Sequence, residues 1–446
     1  MAFLSTRDKD GRRFSLAEVL RLGPAPDGGL FMPARLERLP ESFFEALPGR
    51  PLQGLASDVL ERLLDGELPR PAVEELVASA LDFPLPLVEL DENLRVLELF
   101  HGPTLAFKDV GARFLARLLP LCAGGGGGEI TVLVATSGDT GGAVAQAFQG
   151  VEGTRVAVLY PRGKVSPSQE RQFATLGGNV RAYAVDGVFD DCQRLVKQAF
   201  ADRQLADELG LTSANSINAG RLLPQSIYYF AAAAQLSRQE LARPLLFVVP
   251  SGNFGNLSAG LLAKKLGLQA RFLAATNEND VVPEYLESGD YRPRPSVATL
   301  SNAMDVGEPN NFARILHLYG GDREALREDV GGARVSDAET LATLQRYDKE
   351  HGYLADPHTA VGLAAAERAL VSRPAGTIAI VLATAHPAKF AEAVEPAIGR
   401  RLPLPAALAR SLDLPLLSEN LPNDYPALKR ALLGWSRHQP SKAEIG

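Results

Sequence analysis

Through the first ninety or so residues the apolar positions fall at helical spacing, broken by prolines. LASDVLERLL (55–64) and PAVEELVASAL (71–81) each gather them on one face, and Ser15 stands where it can cap SLAEVLRL. FPLPLVEL (83–90) reads as an extended linker, because consecutive X-Pro steps disfavour helix, and this puts a boundary near residue 95. Beyond it the period changes. Short apolar or β-branched runs alternate with helical stretches: EITVLVAT then GGAVAQAF, TRVAVLY, NVRAYAV then DDCQRLVKQAF, PLLFVVP then NLSAGLLAKKLG, ARFLAAT, and TIAIVLAT then PAKFAEAVEPAI. Strands alternating with helices predict an α/β fold, a parallel sheet covered by helices on both faces. The glycines at 124–128 precede a strand rather than a helix and read as a flexible connector, not a phosphate cradle. The proline-punctuated stretch 401–446 is expected to be a C-terminal extension.

Composition adds exclusions. A chain of 446 residues, 46% apolar and 22% charged, supports more than one packed unit. A net charge of -7 supplies no basic field for nucleic acid or acidic lipid, so the expected partner is a small molecule. Cys122 and Cys192 cannot build a disulfide framework and are not paired as metal ligands. The opening MAFLSTRDKDGRRF has no apolar core of signal-peptide length, and no run approaches the roughly 20 apolar residues that span a bilayer. A cytoplasmic protein, without membrane partner or metal, is the expectation.

In open parallel sheets ligands collect where strands end, and three strands here end in small polar loops that run into helices. SGNFGN (251–256) has glycines that let backbone approach an anion, and a helix N-terminus behind them. It lacks the lysine of a Walker loop and the third glycine of a dinucleotide fingerprint, which suits a single phosphate held by amides. TSGDTGG (136–142) adds the hydroxyls of Thr136, Ser137 and Thr140, a combination suited to a carboxylate. TAHPAKF (384–390) is the third loop. Elsewhere, Lys108 follows an apolar run and opens an amphipathic helix (Val110, Phe114, Leu115, Leu118), where the helix dipole and burial would both lower its pKa. NSINAGR (215–221) brings two asparagines, a serine and Arg221 to another helix start. Each motif taken singly has a plainer reading as a tight turn, a helix cap or a solvated cation. His101, His358 and His386 sit in proline-rich turns with no zinc spacing and read as structural. Met304 and Asp305 in NAMDVGEPNNF carry no chemistry that the residues alone reveal.

Together these segments resemble the threonine synthases, a family of fold-type-II pyridoxal phosphate enzymes, in the arrangement of the bacterial and fungal branch. The resemblance runs from STRD (5–8) and APDGGLFMP (25–33) through LELFHGPTLAFKD (97–109), ATSGDTG (135–141), LYPRGKVSP (159–167) and SANSINAGR (213–221). It continues through VPSGNFGNLSAG (249–260) and NAMDVGEPNNF (302–312) to TAHPAKF (384–390). It implies a tryptophan synthase β-like catalytic unit over 96–400, in two parallel-sheet subdomains with the cofactor between them. A mostly helical N-terminal domain (1–95) and an extension (401–446) packed on the catalytic domain complete it.

Position by position, the resemblance makes Lys108 the catalytic, Schiff-base lysine and SGNFGN, through Gly252, Asn253, Phe254, Gly255 and Asn256, the cradle for the cofactor phosphate. Asp139 falls where relatives place a polar residue, often Asn, near the cofactor's 3-oxygen. Thr384 falls where a hydroxyl meets the pyridine nitrogen. Ser216, Asn218 and Arg221 match positions implicated in holding the substrate phosphate, with Thr136, Ser137 and Thr140 beside the substrate. Ala219 and Gly220 depart from a bulkier pair and are expected to face away. The implied reaction is that of a carbon–oxygen lyase acting on phosphates: O-phospho-L-homoserine and water give L-threonine and phosphate, with Lys108 removing the α-proton. The alternative within the fold type is a phospholyase giving 2-oxobutyrate. A nicotinamide-dependent dehydrogenase is disfavoured by the missing G-x-G-x-x-G, and a catalytically dead binding protein by the retained Lys108. A monomer or homodimer is expected.

Overall fold

The computed structural model describes residues 2–123 and 129–437, so the glycine run expected to be a connector lies outside the described residues. The strands, in chain order, are β1 (Phe3–Ser5), β2 (Phe31–Pro33), β3 (Leu87–Asp91), β4 (Leu94–Glu98), β5 (Ile130–Ala135), β6 (Thr154–Pro161) and β7 (Val180–Val185). They continue with β8 (Leu211–Thr212), β9 (Leu245–Pro250), β10 (Arg271–Thr276), β11 (Val330–Arg334), β12 (Ile378–Ala383) and β13 (Glu419–Leu421). Among the described residues they form three sheets. A small antiparallel pair joins β1 to β2, a six-stranded sheet runs β11-β10-β9-β12-β4-β3, and a five-stranded sheet runs β13-β7-β6-β5-β8.

Both large sheets are parallel except at one edge, where β3 runs antiparallel to β4. The central strands β5, β6, β9 and β12 are buried along their whole length, as cover on both faces requires. Alternate residues of one strand enter different cores: Phe247 and Val249 of β9 pack into one, Leu246 and Val248 into another. β5 divides likewise, Val132 and Val134 against Leu133 and Ala135. The core shared by the inner faces of the two sheets also takes in Leu55, Val59, Leu63, Val73 and Leu76, so the N-terminal helices close it from outside.

Two expectations change. The boundary near residue 95 falls inside β4, and FPLPLVEL leads not into a linker but into β3, an edge strand of the six-stranded sheet. The X-Pro steps do keep the chain extended, and extended chain beside an open sheet edge pairs with it. The C-terminal segment contributes a strand as well as helices: β13 adds to β7, and the helix Tyr425–Arg437 sends Leu428 and Leu432 into the core beneath β6 and β7.

Candidate active site

Lys108 is the first residue of the helix Lys108–Ala123, whose buried positions Val110, Phe114, Leu115 and Leu118 fix the helix in the shared core. The segment ahead of it is held by the loop after β12. Phe107 N–H donates to Thr384 O (2.8 Å), and His386 N–H donates to Leu105 O (3.0 Å). Leu105 itself has φ 59, a strained conformation for a buried leucine that these contacts maintain. Two strand-end loops therefore deliver Lys108, Thr384 and, five residues later, Lys389 to one place.

Lys389 belongs to the same cluster, and sequence reading missed it. Its side chain is 0% exposed, its Nζ lies 2.7 Å from Asp139 Oδ1, and it donates to Thr104 O at 2.8 Å. Asp139 Oδ2 lies 3.7 Å from Lys108 Nζ, and Asp139 Oδ1 also accepts from Gln169 Nε2 (2.9 Å). Asp139 thus sits between two ammonium groups. Burial alone would raise its pKa, but Lys389 and Lys108 outweigh burial and hold the carboxyl well below its usual range. Its partners are thereby identified, and it is ionised. Lys108 keeps 17% of its side chain exposed. Burial lowers its pKa, Lys389 and Arg221 push the same way, and Asp139 opposes them. The lowering expected from sequence is present, with burial its largest cause. A lysine whose proton is loosened in this way, and which stays open to a ligand, suits imine chemistry.

In TSGDTGG the three hydroxyls separate. Thr136 is buried, and its Oγ1 accepts from Gly138 N–H (2.9 Å) and Gly141 N–H (2.8 Å) while donating to Gly138 O (3.1 Å). It shapes the loop and has no capacity left for a substrate. Ser137 is exposed and Thr140 half-buried, and no protein hydrogen bond engages either hydroxyl among the described residues.

SGNFGN joins β9 to the helix Gly255–Lys265. The N–H groups of Gly252, Asn253 and Phe254 meet no protein acceptor among the described residues, and those opening the helix have none within it. Phe254 adopts φ 60, a left-handed conformation rare for an aromatic residue, which turns consecutive N–H groups toward one side. Asn256 is buried, its Oδ1 accepting from the hydroxyls of Tyr228 (2.6 Å) and Tyr229 (2.8 Å), while its Nδ2 has no partner. This donor set, with no formal charge, fits a tightly held phosphate.

NSINAGR also divides. Ser216 Oγ accepts from Asn253 Nδ2 (2.7 Å) and is half-buried. Arg221 is buried, donates through Nη1 to Ala214 O (2.9 Å), and leaves Nε without a partner. Burial lowers its pKa to about 10, and the guanidinium remains charged at neutral pH. Asn218 departs from the expected role on the substrate. Both its amide protons are engaged, on Leu20 O (3.0 Å) and Ser213 O (2.9 Å), and its Oδ1 caps the following turn through Gly220 N–H (2.9 Å). It is a helix cap tied to the N-terminal domain. Gly220 packs against Leu20 and Leu115, where a Cβ would come within 2.4 Å of the former, so this position faces the core.

NAMDVGEPNNF supports these loops. The Met304 backbone lies against Gly252, and Asp305 Oδ1 gathers Thr299, Asn277 and Asn279. Asn311 Nδ2 reaches Asn253 O (3.0 Å). Arg314, 0% exposed, donates to Phe31 O, Ser216 O, Ile217 O and Asn311 Oδ1, and burial brings its pKa down to about 9. His358 is also structural, bonded to Asp356 (2.5 Å) and accepting from Ala303 N–H (3.1 Å). Among the described residues no group of side chains could hold a metal ion, and no helix is long and apolar enough to cross a membrane.

Comparison with known proteins gives the family. The family described as pyridoxal-phosphate dependent enzyme matches residues 82–383, threonine synthase N terminus matches 2–81, and threonine synthase, C-terminal, matches 359–432. The threonine synthase of Haemophilus influenzae is 49% identical over 420 residues, covering 94% of this chain and 96% of that protein. That of Escherichia coli is 48% identical over 420 residues, with the same coverage. The crystal structure of the Escherichia coli enzyme superposes with a TM-score of 0.89 at 46% identity, over 98% of this chain and 100% of that one. The pyridoxal-phosphate-bound threonine synthase of Brucella melitensis gives 0.91 at 37% identity, over 98% and 100%.

Proposed function

We propose, from the premise that the chain belongs to the threonine synthase family of pyridoxal-phosphate-dependent lyases, that it converts O-phospho-L-homoserine and water to L-threonine and phosphate with Lys108 as the proton-transferring base. The chemistry of bound pyridoxal phosphate is that of an electron sink, which takes up the electrons left when protons depart from the substrate carbons. The amide donors of 252–257 and the small Gly255 fit its phosphate, and Lys108 fits its imine bond. Thr384, whose carbonyl holds Phe107 N–H, and Asp139, beside Lys108, lie on the loops around that lysine and fit the cofactor's ring edge.

The rest falls to the chain's own side chains. Lys108 is held with a depressed pKa, so its amine can accept the α-proton and return it. Asp139, ionised beside it, steadies the ammonium that forms. Ser137 and Thr140 offer unengaged hydroxyls to the substrate carboxylate. The observation that carries the reading is Arg221. It is a buried cation with an unpartnered Nε, close enough to Lys108 to depress its pKa, and it belongs to a different segment from the uncharged SGNFGN cradle. A site with an amide cradle and a separate guanidinium suits one phosphate that stays and another that must enter, be expelled and leave.

Two measurements test this. Incubation with O-phospho-L-homoserine is expected to yield threonine, and 2-oxobutyrate as the main product would reassign the enzyme as a phospholyase. Arg221→Ala is expected to lower kcat/KM by about 30- to 1000-fold, the loss of roughly 2–4 kcal/mol of charge-assisted stabilisation, with cofactor affinity near normal. Equal loss of both would put Arg221 on the cofactor.

A further inference from the structure

The reaction needs Lys108 as a free amine, yet Asp139 stands 3.7 Å from its nitrogen as a buried carboxylate. An isolated carboxylate so placed would trap the lysine as an ammonium ion. The structure contains a third group that removes this conflict. Lys389, sealed from solvent, lies 2.7 Å from the other oxygen of Asp139 and is anchored in position by Thr104 O. Thr104 is itself fixed by Asp109, which accepts from its N–H (2.9 Å) and hydroxyl (2.6 Å), and its carbonyl also accepts from Gln172 Nε2 (3.0 Å).

We infer that Lys389 is a positioning residue for the reaction: by pairing with Asp139 it keeps that carboxylate ionised and oriented toward Lys108 while cancelling the charge that would otherwise keep Lys108 protonated. The three groups alternate in sign with Asp139 in the middle, and of the two ammonium groups Lys389 alone is fully shielded from water, while Lys108 is left free to lose and regain its proton. This rests on Lys108 being the base.

The charged groups acting on Lys108 are Asp139 from the helix Asp139–Phe148, Lys389 from the segment after β12, and Arg221 from the turn Ala219–Leu222. Lys389 in turn acts on Asp139, Lys108, Asp109 and His386. Asp139 and Arg221 do not change charge near neutral pH, so the effect of removing Lys389 has a definite sign. Lys108 then feels Asp139 uncompensated, and its pKa rises.

The test reads Lys108 directly. In the full chain with cofactor withheld, the rate at which acetic anhydride labels Lys108 is followed against pH by mass spectrometry. Lys389→Met is expected to raise the midpoint by about one pH unit or more. Lys389→Arg, which keeps the charge, is expected to leave it near the parent value. The acid limb of kcat in the holoenzyme should move upward in parallel with the Met variant. If Lys389→Met does not fold, Lys389→Gln, which keeps a donor for Thr104 O without the charge, takes its place with the same rise expected. A midpoint left unmoved by loss of the Lys389 charge, with Asp139 intact, would reduce Lys389 to a packing role and overturn the inference. The labelling requires neither substrate nor turnover. Failure of the threonine-forming reading would appear in the products while the Lys108 midpoint still responded to Lys389.

Discussion

Asn253 Nδ2 donates to Ser216 Oγ over 2.7 Å, so the loop proposed to hold the cofactor phosphate is fastened directly to the loop proposed to hold the substrate phosphate. Asn253 Oδ1 also accepts from Asn310 N–H (2.6 Å), which leaves its side chain no second rotamer with equal bonding. The two anion sites therefore share a wall. Asn253→Ala is expected to weaken cofactor and substrate together, each by about 5- to 30-fold, the equivalent of one lost hydrogen bond in each loop. A titration with pyridoxal phosphate and a KM for phosphohomoserine check it. A change confined to one of the two would mean that the loops move independently.

Gly252 and Gly255 are glycines for different reasons. A Cβ on Gly252 would lie 2.6 Å from Met304 Cα and 2.8 Å from Ala303 O, backbone that cannot step aside. A Cβ on Gly255 would meet Asn311 Nδ2 at 3.4 Å and Ser216 Cβ at 3.6 Å, ordinary contacts. Gly252→Ala is thus expected to lower stability by about 1–3 kcal/mol even without cofactor. Gly255→Ala should melt like the parent and lose cofactor affinity by about tenfold or more, some 1.4 kcal/mol. Thermal unfolding without cofactor separates the two, and a destabilised Gly255→Ala would deny that the ligand is what keeps that position small.

Asp109 gives the fold a pH dependence of unusual sign. Burial raises its carboxyl from an ordinary 3.8 to about 6, so between those values the native state holds a proton that the unfolded chain has released. The stabilisation is complete below about pH 4 and disappears as pH rises to about 6, on the order of 3 kcal/mol for a shift of roughly two units. Asp109→Asn, which keeps one acceptor for Thr104, is expected to flatten that decline. Urea midpoints at about pH 4, 5 and 6 measure it, and an equally steep variant would assign the titration to another group.

The sequence made the alternation of strands and helices legible because central strands such as ITVLVA and LLFVVP are near-continuous apolar runs, while a covering helix such as Phe189–Ala201 buries one face only. It also made the site's loops legible, since all of them lie at strand ends or helix starts. The division into two sheets was not legible, because a run such as ITVLVA or LLFVVP has the same pattern in either. Lys389 escaped because PAKF reads as an amphipathic helix start with its lysine in water. What buries that lysine is Asp139, two hundred and fifty residues earlier. Asn218 looked like a ligand residue because capping and anion binding use the same side chains at the same place, and only the proximity of Leu20 decides between them. Arg314 carried a signal that was passed over, a cation between Phe312 and Ile315 on the buried side of a short helix.

The position of β12 in its sheet has a consequence for synthesis. It lies between β9 and β4, yet it is the last of those strands to leave the ribosome. Until Ile378–Ala383 emerges, the nascent chain carries two apolar edges facing a gap, a hazard that a waiting chain meets by remaining loose or by being sheltered by a chaperone. The strand that closes the gap also brings Thr384 and Lys389. Before then the chain has Lys108 but nothing to neutralise Asp139, and the reactive amine is not assembled until the sheet is whole.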